Sequence, residues 1–157
     1  MMNLEILPVA ESDKPALWEM LQAYIAGMTA YVDVKPVDGI YPYEHFDKYW
    51  TDSDRFPFWA IHSGERIGFA LVWQDRDHDI FRMAEFYVRP ESRRLNLGTA
   101  FARDVIARFP GRWKIRQIAL NTPAVAFWRR SLAPYHFTEE NFMDRGLERW
   151  EQSFDVR

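Results

Sequence analysis

Val88-Arg89-Pro90-Glu91-Ser92-Arg93-Arg94-Leu95-Asn96-Leu97-Gly98-Thr99-Ala100-Phe101-Ala102 joins two kinds of structure. An apolar, strand-like run ends at Pro90. Two arginines and a turn follow, and a run with helical spacing opens at Leu97-Gly98. Such a junction gathers free backbone N–H groups, a helix N-terminus and guanidinium groups at one point, a combination that holds phosphorylated ligands.

Upstream of this junction, Leu4 to Val9 reads as a short strand. Ser12 or Asp13 can cap a helix with Pro15 in its first turn, and Leu17, Met20, Leu21, Tyr24 and Ile25 recur at helical spacing. Pro36, Gly39 and Pro42 break regular structure over 33–42. A short helix is expected from Tyr43 to Trp50. Phe58–His62 and Ile67–Trp73 flank Ser63-Gly64-Glu65-Arg66 as a hairpin, and Ile80–Arg89 forms the next strand. Strict alternation along that strand puts Ala84, Phe86 and Val88 on one face and Glu85 and Tyr87 on the other.

Downstream, Leu97, Phe101, Val105 and Phe109 form a helical stripe ended by Pro110-Gly111. Trp113–Leu120 reads as a strand. Thr122 is an N-cap candidate with Pro123 after it, and Val125, Trp128 and Leu132 form the last stripe. Phe137–Met143 and Leu147–Phe154 close the chain as two strands around Asp144-Arg145-Gly146. The order β-α-α-β-β-β-α-β-α-β-β is that of an α/β (α+β) domain with a mixed sheet and helices on both faces.

The 157 residues suit one domain with one substantial core. The chain has no cysteine, which excludes disulfides, thiolate zinc sites and a cysteine nucleophile. His45, His62, His78 and His136 are scattered without ligand spacing, so no metal is expected. Met1-Met2-Asn3-Leu4-Glu5 lacks the basic-then-apolar pattern of a secretion signal, and no apolar run approaches the roughly 20 residues of a membrane span. A cytoplasmic protein without membrane contact is the resulting expectation. The net charge is −3, but it is unevenly spread. Residues 28–54 hold six acids against two lysines, whereas 89–130 hold ten basic residues against two acids. With an acidic pI and no basic tail or recognition motif, nucleic acid is not an expected partner. Gly-x-x-x-x-Gly-Lys-Ser/Thr and Gly-x-Gly-x-x-Gly are both absent, which sets aside P-loop and Rossmann nucleotide binding.

The element order, together with two short motifs, resembles the GNAT superfamily of acetyl-CoA-dependent N-acyltransferases. Arg93-Arg94-Leu95-Asn96-Leu97-Gly98 is similar to that family's phosphate-binding signature, Gln/Arg-x-x-Gly-x-Gly/Ala. Asn121-Thr122-Pro123-Ala124 followed by Phe127-Trp128 is similar to its Asn-x-x-Ala motif with an aromatic on the next helix. Phe109-Pro110-Gly111-Arg112-Trp113 and Phe127-Trp128-Arg129 also look like one subgroup of bacterial-type acetyltransferases. The resemblance covers essentially the whole chain. It implies a mostly antiparallel sheet of six to seven strands, acetyl-CoA as cosubstrate, a primary amine on a small molecule or peptide as acceptor, and a homodimer.

The resemblance also implies which residues touch the cofactor. Arg93 or Arg94 and the N–H groups of Leu95, Leu97, Gly98 and Thr99 would face the pyrophosphate, with no side chain at Gly98 to fill phosphate space. Phe86, Tyr87 and Val88 would pair their backbone with the pantetheine arm, and a backbone N–H there would polarise the thioester carbonyl. Asn121 would bond near the sulfur, or else serve as a turn and capping residue. Two positions depart from the family pattern. Asn96 stands at the signature's first glycine, and Asn is the side chain that best tolerates a left-handed backbone. Trp128 stands where many members have a Tyr that protonates the thiolate, and an indole N–H is no proton source. Thiol pKa values near 8.5 make a CoA thiolate a fair leaving group unaided.

Glu85, the only acid in its strand, is the first candidate for general base, with Tyr135 and His136 as secondary candidates. Asp33, Asp38, Tyr41, Tyr43, Glu44 and Asp47 form an acidic, aromatic segment that would attract a cationic amine, or is simply a solvated loop. Two activities remain open: N-acetyl transfer by direct attack, and a non-catalytic acyl-CoA-binding or sensing domain, the latter favoured by Trp128.

Overall fold

The computed structural model describes residues 3–157, the side chain of Arg94 excepted. Eleven elements follow in the expected order: β1 (Leu4–Pro8), α1 (Lys14–Met28), α2 (Lys48–Thr51), β2 (Arg55–His62), β3 (Glu65–Asp75), β4 (Ile80–Val88), α3 (Leu97–Ala107), β5 (Gly111–Ile118), α4 (Thr122–Leu132), β6 (Thr138–Asp144) and β7 (Leu147–Val156). Short 3-10 turns precede α1 (Glu11–Asp13) and α3 (Pro90–Leu95) and follow α4 (Ala133–Tyr135). The strands form one seven-stranded sheet in the order β1-β2-β3-β4-β5-β7-β6, antiparallel at every junction except β4–β5.

Each face of the sheet carries its own core. α3 and α4 cover one face, burying Leu97, Phe101, Val105, Trp128 and Leu132 against Phe58, Ala70, Val72, Trp113 and Ile115. α1 and α2 cover the other, burying Leu17, Leu21, Phe46 and Tyr49 against Trp59, Phe69 and Leu71. Burial of side chains this large contributes about 1.5–3 kcal/mol each, so the two helical stripes hold the layers together. The second core draws only on β2, β3 and β4. No residue of β5, β6 or β7 belongs to it.

The hairpin turns conform to backbone chemistry. Ser63-Gly64 and Arg145-Gly146 each place two successive residues at positive φ, the arrangement of a tight two-residue hairpin. Gly68, opposite Val88, permits a close strand approach, since a Cβ there would lie 2.1 Å from the Tyr87 carbonyl oxygen.

Several expectations need correction. The segment from Tyr43 folds as turns, and only Lys48–Thr51 is helical. Asp13 precedes α1 but makes no capping bond, because its carboxylate pairs with Arg66 at 3.1 Å. Asn121, not Thr122, caps α4, accepting the Ala124 N–H at 3.2 Å. The strict alternation along β4 also fails. Leu71 pairs with Glu85 but Val72 pairs with Met83, so Ala84 is the extra residue of a β-bulge. Ala84 therefore packs with the α1 core, while Met83, Phe86 and Val88 belong to the α3–α4 core.

Candidate active site

The parallel junction between β4 and β5 is short. Only Phe81 with Trp113 and Arg82 with Lys114 are paired, and beyond them the strands splay. The Arg89 N–H bonds the Ile67 carbonyl on β3 at 2.7 Å. Backbone groups alternate sides along a strand, so Phe86 and Val88 turn theirs toward the splayed edge. Val88 O there accepts Arg93 Nε at 2.7 Å, which folds Arg93 back along the strand end with its guanidinium 5.6 Å from the Tyr87 ring.

A cavity of about 510 Å³ lies between this edge, α1, α3 and α4. Phe86, Tyr87, Val88, Arg93, Asn96, Gly98, Thr99, Asn121 and Trp128 all line it. Asn96 adopts the left-handed region, φ 57 and ψ 14, and reverses the chain into α3 without capping it by its side chain. The first-turn N–H groups of α3 therefore stand without a side-chain partner at a helix N-terminus, as anion binding requires. Leu95 points outward and Leu97 is core, so neither side chain lines the cavity, and only their backbone N–H groups are candidates for contact. Arg94's side chain lies outside the described residues. Thr99 Oγ1 is engaged with Ser131 Oγ at 3.0 Å, tying α3 to α4. A Cβ at Gly98 would meet Phe127 Cε1 at 3.0 Å and Val88 Cγ2 at 3.7 Å, so this glycine, which lines the cavity, also makes room for the Phe127 ring.

A second cavity, about 500 Å³, opens on the other side of the splay along β4, β5 and β7. Tyr24, Met28, Phe86, Asn121, Ala124 and Trp128 line both, forming a shared waist. Phe86 stacks on Phe127 at 5.5 Å and meets Trp128 edge-on at 5.0 Å. Asn121, its oxygen spent on the α4 cap, directs Nδ2 at Met28 Sδ, 3.8 Å away. Asn121 is thus a capping residue that also lines both cavities.

Glu85 lines the second cavity. Tyr24 Oη donates to Glu85 Oε1 at 3.4 Å. Burial pushes the Glu85 carboxyl up to about 8, opposed by the Tyr24 hydrogen bond, which lowers it. Burial and the charge of Glu85 in turn hold the Tyr24 phenol well above its ordinary range, and Tyr43 is raised by the same two causes. A carboxyl poised near neutrality beside a cavity can take a proton from an ammonium group.

Other candidates fall away. His136 is exposed and Tyr135 stacks on Phe154 at 5.0 Å, and neither lines either of these cavities. Of the acidic segment, Asp33, Asp38 and Glu44 are exposed, Asp47 pairs with Lys14 at 3.0 Å, and none of the four lines either cavity. Tyr41 is clamped to α1 by reciprocal bonds between its backbone and Gln22. Only Tyr43 from this segment lies close enough to feel Glu85. The cavity-lining residues for which no role at the site was expected include Met28, Phe127 and Arg130. Tyr24 had a visible place on the α1 stripe, but a stripe does not reveal which of its members ends at a cavity.

Among the described residues no three His, Asp or Glu side chains converge as a metal site, and no helix is long and apolar enough to cross a membrane.

The model of the acetyltransferase (GNAT) family matches residues 17–133. Solved structures share the fold. A GNAT family acetyltransferase from Elizabethkingia anophelis with acetyl-CoA bound superposes with a TM-score of 0.67 at 15% identity, covering 98% of this chain and 99% of that one. The ribosomal-protein-S18-alanine N-acetyltransferase from Escherichia coli gives 0.65 at 16% identity, covering 98% and 94%. The ribosomal-protein-alanine N-acetyltransferase from Brucella melitensis gives 0.68 at 15%, covering 97% and 99%. A search of curated proteins finds no match.

Proposed function

Since the chain belongs to the GNAT acetyltransferase family, we propose that it transfers an acetyl group from acetyl-CoA to a primary amine by direct attack of the amine on the thioester. The observation that carries this reading is the waist. A cavity headed by the uncapped α3 N-terminus and one lined by Glu85 meet at the open edge of β4. The solved relative from Elizabethkingia anophelis holds acetyl-CoA, which supports assigning the first cavity to that substrate.

The residues present suit it. The α3 first-turn N–H groups, with Arg93 and Arg130 at the rim, would bind the pyrophosphate. The outward N–H and C=O of Phe86 and the N–H of Val88 would pair with the amides of the pantetheine arm, as an added strand would. Acetyl-CoA supplies an activated acyl group on a thiolate leaving group. Glu85 takes one proton from the incoming ammonium, the lone pair of the freed amine forms the new C–N bond as the C–S bond breaks, and the second N–H proton is released to water. Tyr24 Oη keeps the carboxylate oriented. Trp128 lends apolar area and an N–H donor beside the sulfur but no proton, so the sulfur leaves as thiolate.

Calorimetry with CoA and thiol release from acetyl-CoA over a panel of primary amines test the reading. Micromolar-range CoA binding with amine-dependent thiol release is expected. CoA binding without turnover on any amine favours a sensing domain, the alternative that Trp128 supports. No binding of either CoA or acetyl-CoA overturns both.

A further inference from the structure

The Glu85 cavity has a floor unlike its waist. α1 and α2 cover the sheet face over β2–β4 and leave it bare over β5 and β7. There Arg82, Lys114, Arg116 and Arg149 line the cavity. Register explains the grouping: Arg82 neighbours Lys114 across the parallel junction, Arg116 faces Glu151, and Ile118 faces Arg149.

Of the acids that balance these cations, Glu151 and Asp75 are buried, Asp75 in the cavity wall itself, while Asp144 is 37% exposed. Glu151 has only 5% of its side chain exposed, yet it serves Lys114 at 3.6 Å, Arg82 at 3.7 Å and Arg116. Asp75, 4% exposed, is taken by Arg82 and His78. Asp144 is shared between Arg149 at 3.4 Å and Arg116 at 3.8 Å. Four cations thus share three carboxylates, Glu151, Asp75 and Asp144, and two of the cations stay open to the cavity: Lys114 is 31% exposed and Arg116 39%. A cavity walled by protein focuses such a field onto whatever enters it.

We propose that the acceptor is a small primary amine that also carries an anionic group, a carboxylate or a phosphate, held on the Arg82–Lys114–Arg116–Arg149 floor with its amine at Glu85. Arg82 and Glu85 are three positions apart, at most about 10 Å along a strand. That span suits a compact molecule with both groups on a short chain. The reaction is unchanged: the ammonium gives one proton to Glu85 and a second to water, the C–N bond forms and the C–S bond breaks, while the anionic group takes no part. This inverts the expectation of a cationic acceptor drawn to the acidic segment, whose carboxylates lie away from the cavity. The inference rests on the acetyl-transfer reading.

The test compares four amines of similar length in thiol release from acetyl-CoA: 4-aminobutyrate, O-phosphoethanolamine, n-butylamine and 1,4-diaminobutane. We expect kcat/KM for at least one of the first two to exceed that of both others tenfold or more, and the better of the two identifies carboxylate or phosphate. In Lys114→Gln/Arg149→Gln that preference should fall at least tenfold, through the amine KM, with KM for acetyl-CoA unchanged. Arg149→Lys should retain most of it, which separates lost charge from lost folding. Equal or better use of butylamine or diaminobutane overturns the inference, as does an indifferent double variant. If no amine is turned over, calorimetry of the CoA-loaded protein with the two anionic amines decides: binding weakened by the double variant supports the floor, and no binding overturns it. Failure to bind CoA at all is a different result, and it removes the acetyl-transfer reading itself.

Discussion

Tyr24 on α1 and Glu85 on β4 share one hydrogen bond, Oη to Oε1 at 3.4 Å, in the wall of the second cavity. The bond is long, so it contributes little to stability. Its consequence is protonic. Burial raises the Glu85 carboxyl and Tyr24 restrains that rise, leaving it near 8. The ring stands edge-on to Tyr87 at 5.9 Å and to Phe69 at 5.8 Å, which fixes the phenol in place.

A base must be ionised before it can accept a proton. Turnover should therefore climb with pH through about 8 and level above it. Glu85→Gln should lower kcat by about 10²–10⁴-fold, the usual size of a general-base contribution, and abolish that climb. CoA affinity, read by calorimetry, should stay within about threefold, because Glu85 does not line the cofactor cavity. A normal pH–rate profile in the variant removes Glu85 as the base.

Tyr24→Phe takes away the donor that lowers the Glu85 carboxyl. The midpoint of the pH–rate profile should move upward by up to about one unit, the equivalent of one modest hydrogen bond. A merely structural Tyr24 would change amplitude without moving the midpoint.

Glu85 also couples folding to pH. Its ordinary value is 4.5 and its folded value is about 8. Between these the folded chain keeps a proton that the unfolded chain has released, so rising pH favours unfolding. The Glu85 contribution is absent below about pH 4.5, grows as a cost through the interval, and is constant above about pH 8. Urea denaturation of the wild type and Glu85→Gln at pH 5 and pH 8 should show a gap in stability that widens in favour of the glutamine variant at the higher pH. A gap that does not change with pH contradicts a buried carboxyl.

Element order was legible because apolar spacing and Gly/Pro punctuation are local properties, and β4–α3 could be placed from one junction. The bulge was not. Met83 and Ala84 are simply two apolar residues in a mostly apolar strand, which does not mark a bulge, and only the pairing of Val72 with Met83 exposes the extra residue. The acidic segment left two readings open for a related reason. Charge counted along a chain says nothing of which way its side chains point, and Gln22 holds Tyr41 against α1 while Asp47 turns to Lys14. The cationic floor was hidden because its members come from β4, β5 and β7, and only sheet register gathers them.

Gly98 separates packing from ligand contact. A Cβ there lies 3.0 Å from the edge of the Phe127 ring, tighter than ordinary contact. Gly98→Ala should therefore destabilise the fold by about 1–3 kcal/mol, as overpacking does. Phe127→Leu in the same chain should recover part of that loss, a coupling that a double-mutant cycle measures by urea denaturation. Simple additivity of the two changes would place the glycine's role elsewhere.

Asn96 tests the loop from the backbone side. At φ 57 a side chain branched at Cβ meets the following carbonyl, whereas Gly has no such penalty and Asn a reduced one. Asn96→Gly should leave CoA affinity within about twofold, since the side chain makes no capping bond. Asn96→Val should cost about 1–2 kcal/mol of strain. That strain can be relieved by turning the chain out of the left-handed region, and the α3 first-turn N–H groups then lose their aim. Calorimetry should thus show CoA binding weakened about tenfold or more in Asn96→Val, with far-UV circular dichroism unchanged. Equal affinity in the glycine and valine variants would mean that the left-handed residue does not orient the anion site.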